Sequence, residues 1–247
     1  LGADIPAFDF SVEGVTSISV DLHKYAYAPK GASVILYRDK NLRRYQMFAC
    51  AGWTGYTVIN PTILSTKSAG PLAGAWATLH PLGDTGYVDI VERTKRATEQ
   101  LLEGIAAIDG LSILGQPDMS LFSFVADGFS IWHLADAMKA RGWYIQPQLG
   151  YGSSPANIHL TVTATSLERV DELLSDLKEC CEWAKTQHMT EDEAALLDSV
   201  RTLKPEDFTP DMYEQMLGMA GFNDGAMLPE NMASINALLD ALPASLR

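Results

Sequence analysis

The sequence predicts an α/β fold, for three reasons. Two β-rich segments, "GVTSISVDL" and "ASVILYRD", flank a Pro-Lys-Gly turn and predict a pair of strands. The segment "LGDTGYVDIVERTKRATEQLLEGIAAIDG" has apolar residues at helical spacing, which predicts one long amphipathic helix that stops near Gly110. Residues 111–184 then alternate strand-like and helix-like segments.

Between the strand pair and the long helix lie an irregular stretch and a short helix. Residues 47–70 are rich in Gly, Thr, Asn and Pro, and a connection of that length usually carries function. Residues 71–80 place apolar side chains at helical spacing and predict a buried helix, with the core residues Leu72, Ala75, Trp76 and Leu79.

Residues 111–184 have the pattern of a small domain. "LSILG", "SLFSFVAD", "WYIQPQ" and "NIHLTVT" predict strands, and "SIWHLADAMKARG" and "SLERVDELLSDLKECCEWAK" predict helices. Gly142 suits the C-cap of the first helix, and Ser166 suits the N-cap of the second. This order favours an antiparallel sheet covered by helices. Residues 186–247 predict further helices, separated by prolines.

Composition narrows the classes of function. The 247 residues include 18 Lys and Arg against 31 Asp and Glu, a formal net charge of −13. Because nucleic-acid binding depends on basic residues that neutralise phosphates, we expect no nucleic-acid partner. Three cysteines make a poor disulfide framework and favour a reducing, cytoplasmic setting. No apolar run approaches the roughly 18 residues of a membrane span, and no metal-binding spacing occurs.

The strongest candidate for chemistry is Lys24, in "SISVDLHKYAYAPKGASVILYRD". It directly follows His23, where a predicted strand ends. A lysine that forms a Schiff base must be held at a fixed point on a rigid element. His23 could bind a phosphate, and Lys30 adds positive charge; positive neighbours and desolvation favour a neutral, nucleophilic amine. The pattern suits a hairpin that attaches pyridoxal 5'-phosphate (PLP), although a lysine at a strand end is more often a solvated edge residue.

This segment resembles the PLP-lysine segment of sphingosine-1-phosphate lyases and their bacterial relatives, which belong to the group II decarboxylase family of fold type I PLP enzymes. The resemblance continues through "GWTGYTVINPTILSTKSAG", "GYVDIVERTKRA", "ARGW" and "LGMAG". It implies a PLP-dependent transferase-like fold in three parts. Residues 1–85 would end the large PLP-binding domain, residues 86–185 would form a linking helix and a small α/β domain, and residues 186–247 would form a helical C-terminal extension.

The resemblance also implies roles for individual residues. Lys24 would carry PLP through a Schiff base and return a proton during turnover. His23 would contact the cofactor phosphate, Asp21 would shape the turn, and Lys30 would lie near the phosphate region of the active site. Thr66 stands where the family has a serine that reaches the phosphate of the other subunit's cofactor. A homodimer with a shared active site is therefore expected.

The sequence departs from the family's pattern at several positions. Lys67 replaces an arginine and loses its bidentate geometry. Val58 and Leu217 stand where the lyases have tyrosines, which weakens the case for sphingosine phosphate itself as substrate; Tyr56 and Tyr213 lie near these two positions. The family's phosphate loop, its stacking histidine and its aspartate on the pyridine nitrogen all precede the lysine. We therefore expect upstream sequence and interpret the chain as a C-terminal portion.

The resemblance implies a PLP-dependent carbon–carbon lyase that cleaves a small amine substrate, with or without a phosphate group, to an aldehyde. An amino-acid decarboxylase of the same family is the alternative, because both reactions break a bond at or next to the amine-bearing carbon. A non-catalytic dimerisation fragment or pseudoenzyme is the alternative of another class. The Asp-x-His-Lys-Tyr and Ala-Pro-Lys-Gly pair favours the lyase.

Other conspicuous residues have competing interpretations. Trp53 and Tyr56 could line a substrate pocket or anchor the long loop to the core. His133 is expected to be either a helix-surface residue or a packing residue. Cys180 and Cys181 are expected to be inert, because no activating base lies near them in the sequence.

Overall fold

The computed structural model describes residues 5–64, 66–207, 209–219 and 230–246. The chain packs as two units, Leu1–Asp89 and Ile90–Arg247. Each unit has its own strands and its own apolar clusters. Among the described residues, no helix combines the length and the apolar character that crossing a membrane requires.

The first unit contains two antiparallel strand pairs. Strands β1 (Ser17–Asp21) and β2 (Ser33–Tyr37) pair with Asp21 opposite Ser33, which confirms the predicted pair. Strands β3 (Phe48–Cys50) and β4 (Val58–Asn60) pair inside the stretch that was expected to be irregular. They form because aromatic and β-branched side chains favour extended backbone there. Between the pairs lie helix α1 (Lys40–Arg43) and a 3-10 turn (Arg44–Gln46).

Helix α2 spans Ala69–Ala106 but consists of two successive helices. Gly83 breaks it with φ 53° and ψ −171°, a backbone conformation that no helix contains. Pro81 lies just before the break and removes a backbone donor. Two successive helices, as predicted, are confirmed.

The expectation that the first of these helices is buried is wrong for the described residues. Leu72 is 72% exposed and Trp76 is 66% exposed, whereas Ala75 is only 2% exposed. Ala75 packs with Ala28 and Ala32, and such small side chains let the backbones approach but cover only a narrow face of the helix.

The second unit contains a four-stranded antiparallel sheet in the order β5-β6-β8-β7. The strands are β5 (Leu111–Ile113), β6 (Leu121–Ala126), β7 (Gln146–Gln148) and β8 (Asn157–Thr161). Helix α3 (Ile131–Ala140) follows β6, and helix α4 (Val170–Lys185) follows β8. The predicted four strands and two helices, in the order β-β-α-β-β-α with an antiparallel sheet, are confirmed.

The two predicted caps have different outcomes. The C-cap of α3 is Arg141, one residue before the prediction; Gly142 follows it with φ 85°, and its N–H donates to the Lys139 carbonyl, so the glycine ends the helix. Ser166 is not the N-cap of α4. It forms a capping box with Thr163 inside a 3-10 helix (Ala164–Arg169), and α4 begins only at Val170. The capping box satisfies the first backbone donors early, so a tight turn precedes the α-helix.

The core of the second unit lies between the sheet and the helices. Its fully buried large side chains come from the second half of α2, the central strands β6 and β8, and the helices α3 and α4: Ile105, Phe124, Leu134, Met138, Ile158 and Leu177. Burying each such side chain contributes about 1.5–3 kcal/mol, so this sheet and its helices are a stable platform.

In its described residues, the C-terminal part of the second unit is helical, as predicted. It comprises α5 (Glu191–Val200), a 3-10 turn (Pro205–Asp207), α6 (Pro210–Met219) and α7 (Ala233–Ala241). Helix α7 is tied to α3, because the Asp136 carboxylate accepts the backbone N–H groups of Met232 and Ala233, both at 2.8 Å. Asp240 also accepts the N–H of Gly150 at 2.6 Å.

Candidate active site

Residues 22–32, hereafter the hairpin turn, connect β1 to β2 and carry the candidate lysine. Backbone hydrogen bonds close the turn on itself: the N–H of Leu22 donates to the Ala32 carbonyl, and the N–H of Ala28 donates to the Leu22 carbonyl, both at 3.0 Å. Tyr27 donates its N–H to the Lys24 carbonyl at 3.0 Å. The backbone of Lys24 is therefore fixed at both ends of a compact turn.

Helix α2 supports the hairpin turn from both sides of its break at Gly83. The hydroxyl of Tyr87 donates to the Ala26 carbonyl at 2.7 Å, and burial raises the pKa of Tyr87. Gly74 faces Pro29 so closely that an added Cβ would lie 2.9 Å from the proline Cγ. The sequence does not indicate these contacts, because Tyr87 and Ala26 are 61 residues apart. The only signal was that Tyr87 belongs to the family-like "GYVDIVERTKRA".

Lys24 is exposed and paired with a carboxylate. Its side chain is 67% exposed, and its Nζ lies 2.7 Å from Oδ2 of Asp21. Asp21 also accepts the Ser33 hydroxyl at 2.5 Å. The hydrogen bond from Lys24, followed by that from Ser33, holds the pKa of Asp21 below its usual value. Asp21 is therefore an ionised partner for the lysine at neutral pH.

The environment of Lys24 differs from the one expected from the sequence. Desolvation and positive neighbours were expected around Lys24, but in the described part of the chain its partner is negative and its side chain reaches solvent. The local backbone explains this environment. The N–H of Lys24 donates to the Asp21 carbonyl at 3.1 Å, and this turn brings the two side chains together.

His23 is half-buried and fixed by the opposite end of the hairpin turn. Its Nδ1 lies 3.0 Å from the Ala32 carbonyl oxygen. Because a carbonyl only accepts, Nδ1 carries the hydrogen, and Nε2 is left as the nitrogen for another partner.

Lys30 and Thr66 lie outside the group of interacting residues around Lys24. Both are exposed, and neither makes a hydrogen bond or ion pair with Asp21, His23 or Lys24 within the described ranges. Next to Thr66, Lys67 donates its Nζ to the Leu64 carbonyl at 3.1 Å.

The aromatic residues of the long loop stabilise the loop itself. The indole N–H of Trp53 donates to the Tyr56 carbonyl at 2.5 Å, and the two rings meet edge to face at 5.6 Å. Trp53 is 50% exposed and Tyr56 is 78% exposed, so the interpretation that they anchor the loop in the core is wrong for the described residues. Of the positions that depart from the family, Val58 lies on β4, and the side chain of Leu217 is outside the described residues, as are Ala220 and Gly221 of "LGMAG".

The two adjacent thiols of the second unit are buried. Cys180 and Cys181 are 2% and 0% exposed. Burial raises the pKa of both, that of Cys181 to about 12. All three cysteines are free, and Cys50 is half-buried.

The donor set at the hairpin turn fits PLP. A solvent-exposed primary amine on a fixed turn can bond the cofactor's aldehyde carbon, and the imidazole of His23 and the amine of Lys30 suit an anionic phosphate. No cluster of His, Cys, Asp and Glu in the described ranges could hold a metal ion.

Comparison with known proteins identifies relatives. Residues 194–247 match the family described as "Pyridoxal-dependent enzyme, C-terminal putative HTH domain". The chain is 40% identical over 185 residues to sphingosine-1-phosphate lyase of Arabidopsis thaliana, which covers 75% of this chain and 33% of the relative. It is 31% identical over 240 residues to the Saccharomyces cerevisiae sphingosine-1-phosphate lyase, which covers 97% of this chain and 37% of the relative.

A solved structure is also similar to this chain. The sphingosine-1-phosphate lyase of Burkholderia pseudomallei has a TM-score of 0.68 and 34% sequence identity, with 82% of this chain and 45% of that chain covered. The chain spans 33% and 37% of the plant and yeast lyases, about a third of their length. The chain is therefore similar to the C-terminal region of sphingosine-1-phosphate lyases of the PLP-dependent decarboxylase family, and it shares the fold type I architecture of that region.

Proposed function

We propose that this chain is the lysine-bearing part of a PLP-dependent carbon–carbon lyase that cleaves an amine substrate, with or without a phosphate group, to an aldehyde. The similarity to sphingosine-1-phosphate lyases supports this reaction class. The observation that carries it is the amine of Lys24, which is exposed on a fixed turn and held 2.7 Å from an ionised carboxylate.

PLP, when bound, supplies an electron sink for the electron pair released as a bond next to the amine-bearing carbon breaks. Lys24 would hold the cofactor through its Nζ, and the free amine would hold and move a proton at that nitrogen. Asp21 restrains the lysine, because an ionised carboxylate three residues away favours one position of a flexible four-carbon side chain.

Three further residues contribute to the proposed site. His23 contributes Nε2 to the cofactor phosphate, since its Nδ1 donates to the Ala32 carbonyl. Lys30 adds positive charge to the phosphate region. Thr66 supplies a hydroxyl to the phosphate of a second subunit's cofactor, which makes the protein a homodimer with a shared site. The three-part domain division and the cytoplasmic setting belong to the same proposal.

The substrate is an amine whose polar head is bound differently from that of the family's lyases. Val58 replaces a tyrosine on a strand and Leu217 replaces another, so two phenol donors are lost. A site that lacks placed donors discriminates weakly between head groups.

The test is borohydride reduction of the purified holoprotein followed by peptide mapping, with turnover measured in parallel. We expect a pyridoxyl group on Lys24, release of an aldehyde, and a loss of turnover of about 10²-fold or more in Lys24→Ala. Lys40→Ala is the control, because Lys40 is an exposed lysine on α1 of the same unit.

Three outcomes would contradict the proposal. A pyridoxyl adduct on a lysine other than Lys24 would place the cofactor attachment site at that lysine. Release of CO₂ in place of an aldehyde would assign an amino-acid decarboxylase. A protein with neither adduct nor turnover would be a non-catalytic member of the family.

A further inference from the structure

A cleft of about 610 Å³ lies entirely within the second unit. It is bounded by the start of α3, by residues 187–189 and by the helices α5 and α7. Its volume falls within the about 300–1,000 Å³ that is usual for small-molecule sites. Apolar side chains form most of the wall: Ile131, Trp132, Leu196, Leu197, Leu238 and Ala241. A small molecule with an apolar body therefore suits this cleft.

The charges at the cleft are predominantly negative. Glu193 and Asp240 both line it. The cation among the lining residues, Arg201, is already paired with Asp198, whose Oδ1 lies 2.8 Å from its Nη1. Two carboxylates beside a neutralised guanidinium attract a cation rather than an anion.

Glu193 is the acceptor best placed to bind a ligand. Its Oε2 accepts the N–H and the hydroxyl of Thr190 at 2.9 and 3.0 Å, which fixes the side chain as part of the capping box of α5. Its Oε1 accepts only the long bond from Ser234, at 3.3 Å, among the contacts of the described chain. The hydrogen bond from the Thr190 backbone holds the pKa of Glu193 below its usual value. An ionised, fixed oxygen with spare lone-pair capacity therefore faces an apolar cleft.

A second observation points to an incomplete site. Nδ1 of His133, which also lines the cleft, is hidden from solvent and has no hydrogen-bond partner in the described part of the chain. Buried polar atoms without a partner are uncommon and generally indicate a missing water, ion or ligand.

We propose that this cleft binds a small amine with an apolar body, whose ammonium group donates to Glu193 and whose body lies against Trp132 and Leu197. It is a binding site built only from the second unit, and it does not depend on the reaction proposed for Lys24. Helix α7 and most of helix α5, which line the cleft, fall within residues 194–247, the part of the chain that matches the family model.

The test measures binding of N,N-dimethyl-2-phenylethylamine to the purified holoprotein by saturation-transfer NMR and calorimetry. A tertiary amine cannot condense with PLP, so binding to the cofactor is avoided. We expect a dissociation constant of about 1 mM for a ligand of this size. Binding should weaken at least about fivefold in Glu193→Gln, because a charge-assisted bond becomes a neutral one.

Matched variants and ligands make the result specific. Glutamine also completes a capping box, so Glu193→Gln preserves the start of α5. Glu191→Gln, on the same helical turn but outside the cleft, should bind like the wild type. Ala241→Phe fills the cleft and should abolish binding. Any one of three results would overturn the proposal: no saturation at about 10 mM probe, equal affinity for the neutral 2-phenylethanol, or unchanged binding in Glu193→Gln.

Discussion

At the scale of single residues, Tyr87 secures the turn that carries Lys24. Its hydroxyl donates to the Ala26 carbonyl at 2.7 Å. In Tyr87→Phe this carbonyl loses its partner, which costs about 1 kcal/mol. Hydrogen exchange at the Leu22 and Ala28 amides should then be about fivefold faster, since local opening becomes easier. Tyr56→Phe is the control, because Tyr56 is 78% exposed. Equal exchange in the two variants would show that Tyr87 does not support the turn.

The cysteines differ in reactivity for a physical reason. The thiolate is the reactive form, and burial raises the pKa of Cys180 and Cys181 while also blocking access. Treating the native protein with iodoacetamide at pH 8 should therefore modify Cys50 at least about a hundredfold faster than the other two. Intact-mass measurement should show one adduct in buffer and three in denaturant. Two or three adducts in buffer would contradict the burial of the pair.

The position of Lys24 could be predicted from the sequence, but its surroundings could not. A β-rich run before it and a Pro-Lys-Gly turn after it indicate a lysine at the end of a strand. The ion pair with Asp21 depends on the backbone of one tight turn. The support from Tyr87 depends on a contact across 61 residues, and local periodicity contains no information about such contacts.

At the scale of elements, the close approach of Gly74 to Pro29 determines how α2 supports the hairpin turn. A Cβ at Gly74 would lie 2.9 Å from the Pro29 ring, which cannot rotate away, whereas a Cβ at Gly70 would first meet Ser68 Oγ at 3.5 Å. Both glycines lie in the first turns of α2, so valine changes helix propensity similarly at each.

We therefore expect Gly74→Val to destabilise the hairpin turn by about 1–3 kcal/mol more than Gly70→Val does. Protection of the Leu22 and Ala28 amides against hydrogen exchange measures this difference. If the two variants lose protection equally, the loss comes from helix propensity, and the close approach at Gly74 is not required.

Helices with a clear hydrophobic period could be predicted from the sequence, and very short strands could not. The helices α3 and α4 follow from repeated apolar spacing, and Gly142 ends α3 as its residue type suggests. Strands β3 and β4 have three residues each, too few for any alternation to appear. Ser166 resembles an N-cap by type, yet only the geometry of its capping box reveals the intervening 3-10 helix.

At the scale of the whole molecule, charge decides which partners are possible. The matched family's description contains the term HTH, a motif that often binds DNA. Residues 194–247 nevertheless hold three Lys and Arg against eight Asp and Glu, within a chain whose formal net charge is −13. This balance repels a phosphate backbone.

Fluorescence anisotropy with a random-sequence duplex in 50 mM salt should therefore detect no binding tighter than about 100 µM. An increase in anisotropy at lower protein concentration that disappears at 200 mM salt would contradict this expectation. It would indicate a basic surface despite the negative net charge.

The bonds that Asp136 accepts from Met232 and Ala233 have a consequence for the order of folding. Asp136 and Ala233 are 97 residues apart, and Ala233 belongs to the main apolar cluster of the second unit. During synthesis, α3, the sheet and α4 can assemble before residue 233 exists. Among the side-chain hydrogen bonds of the described residues in this unit, the bond between Asp136 and Ala233 spans the longest stretch of chain. Because closing a long loop costs entropy, we expect the contact between α3 and α7 to form late in folding.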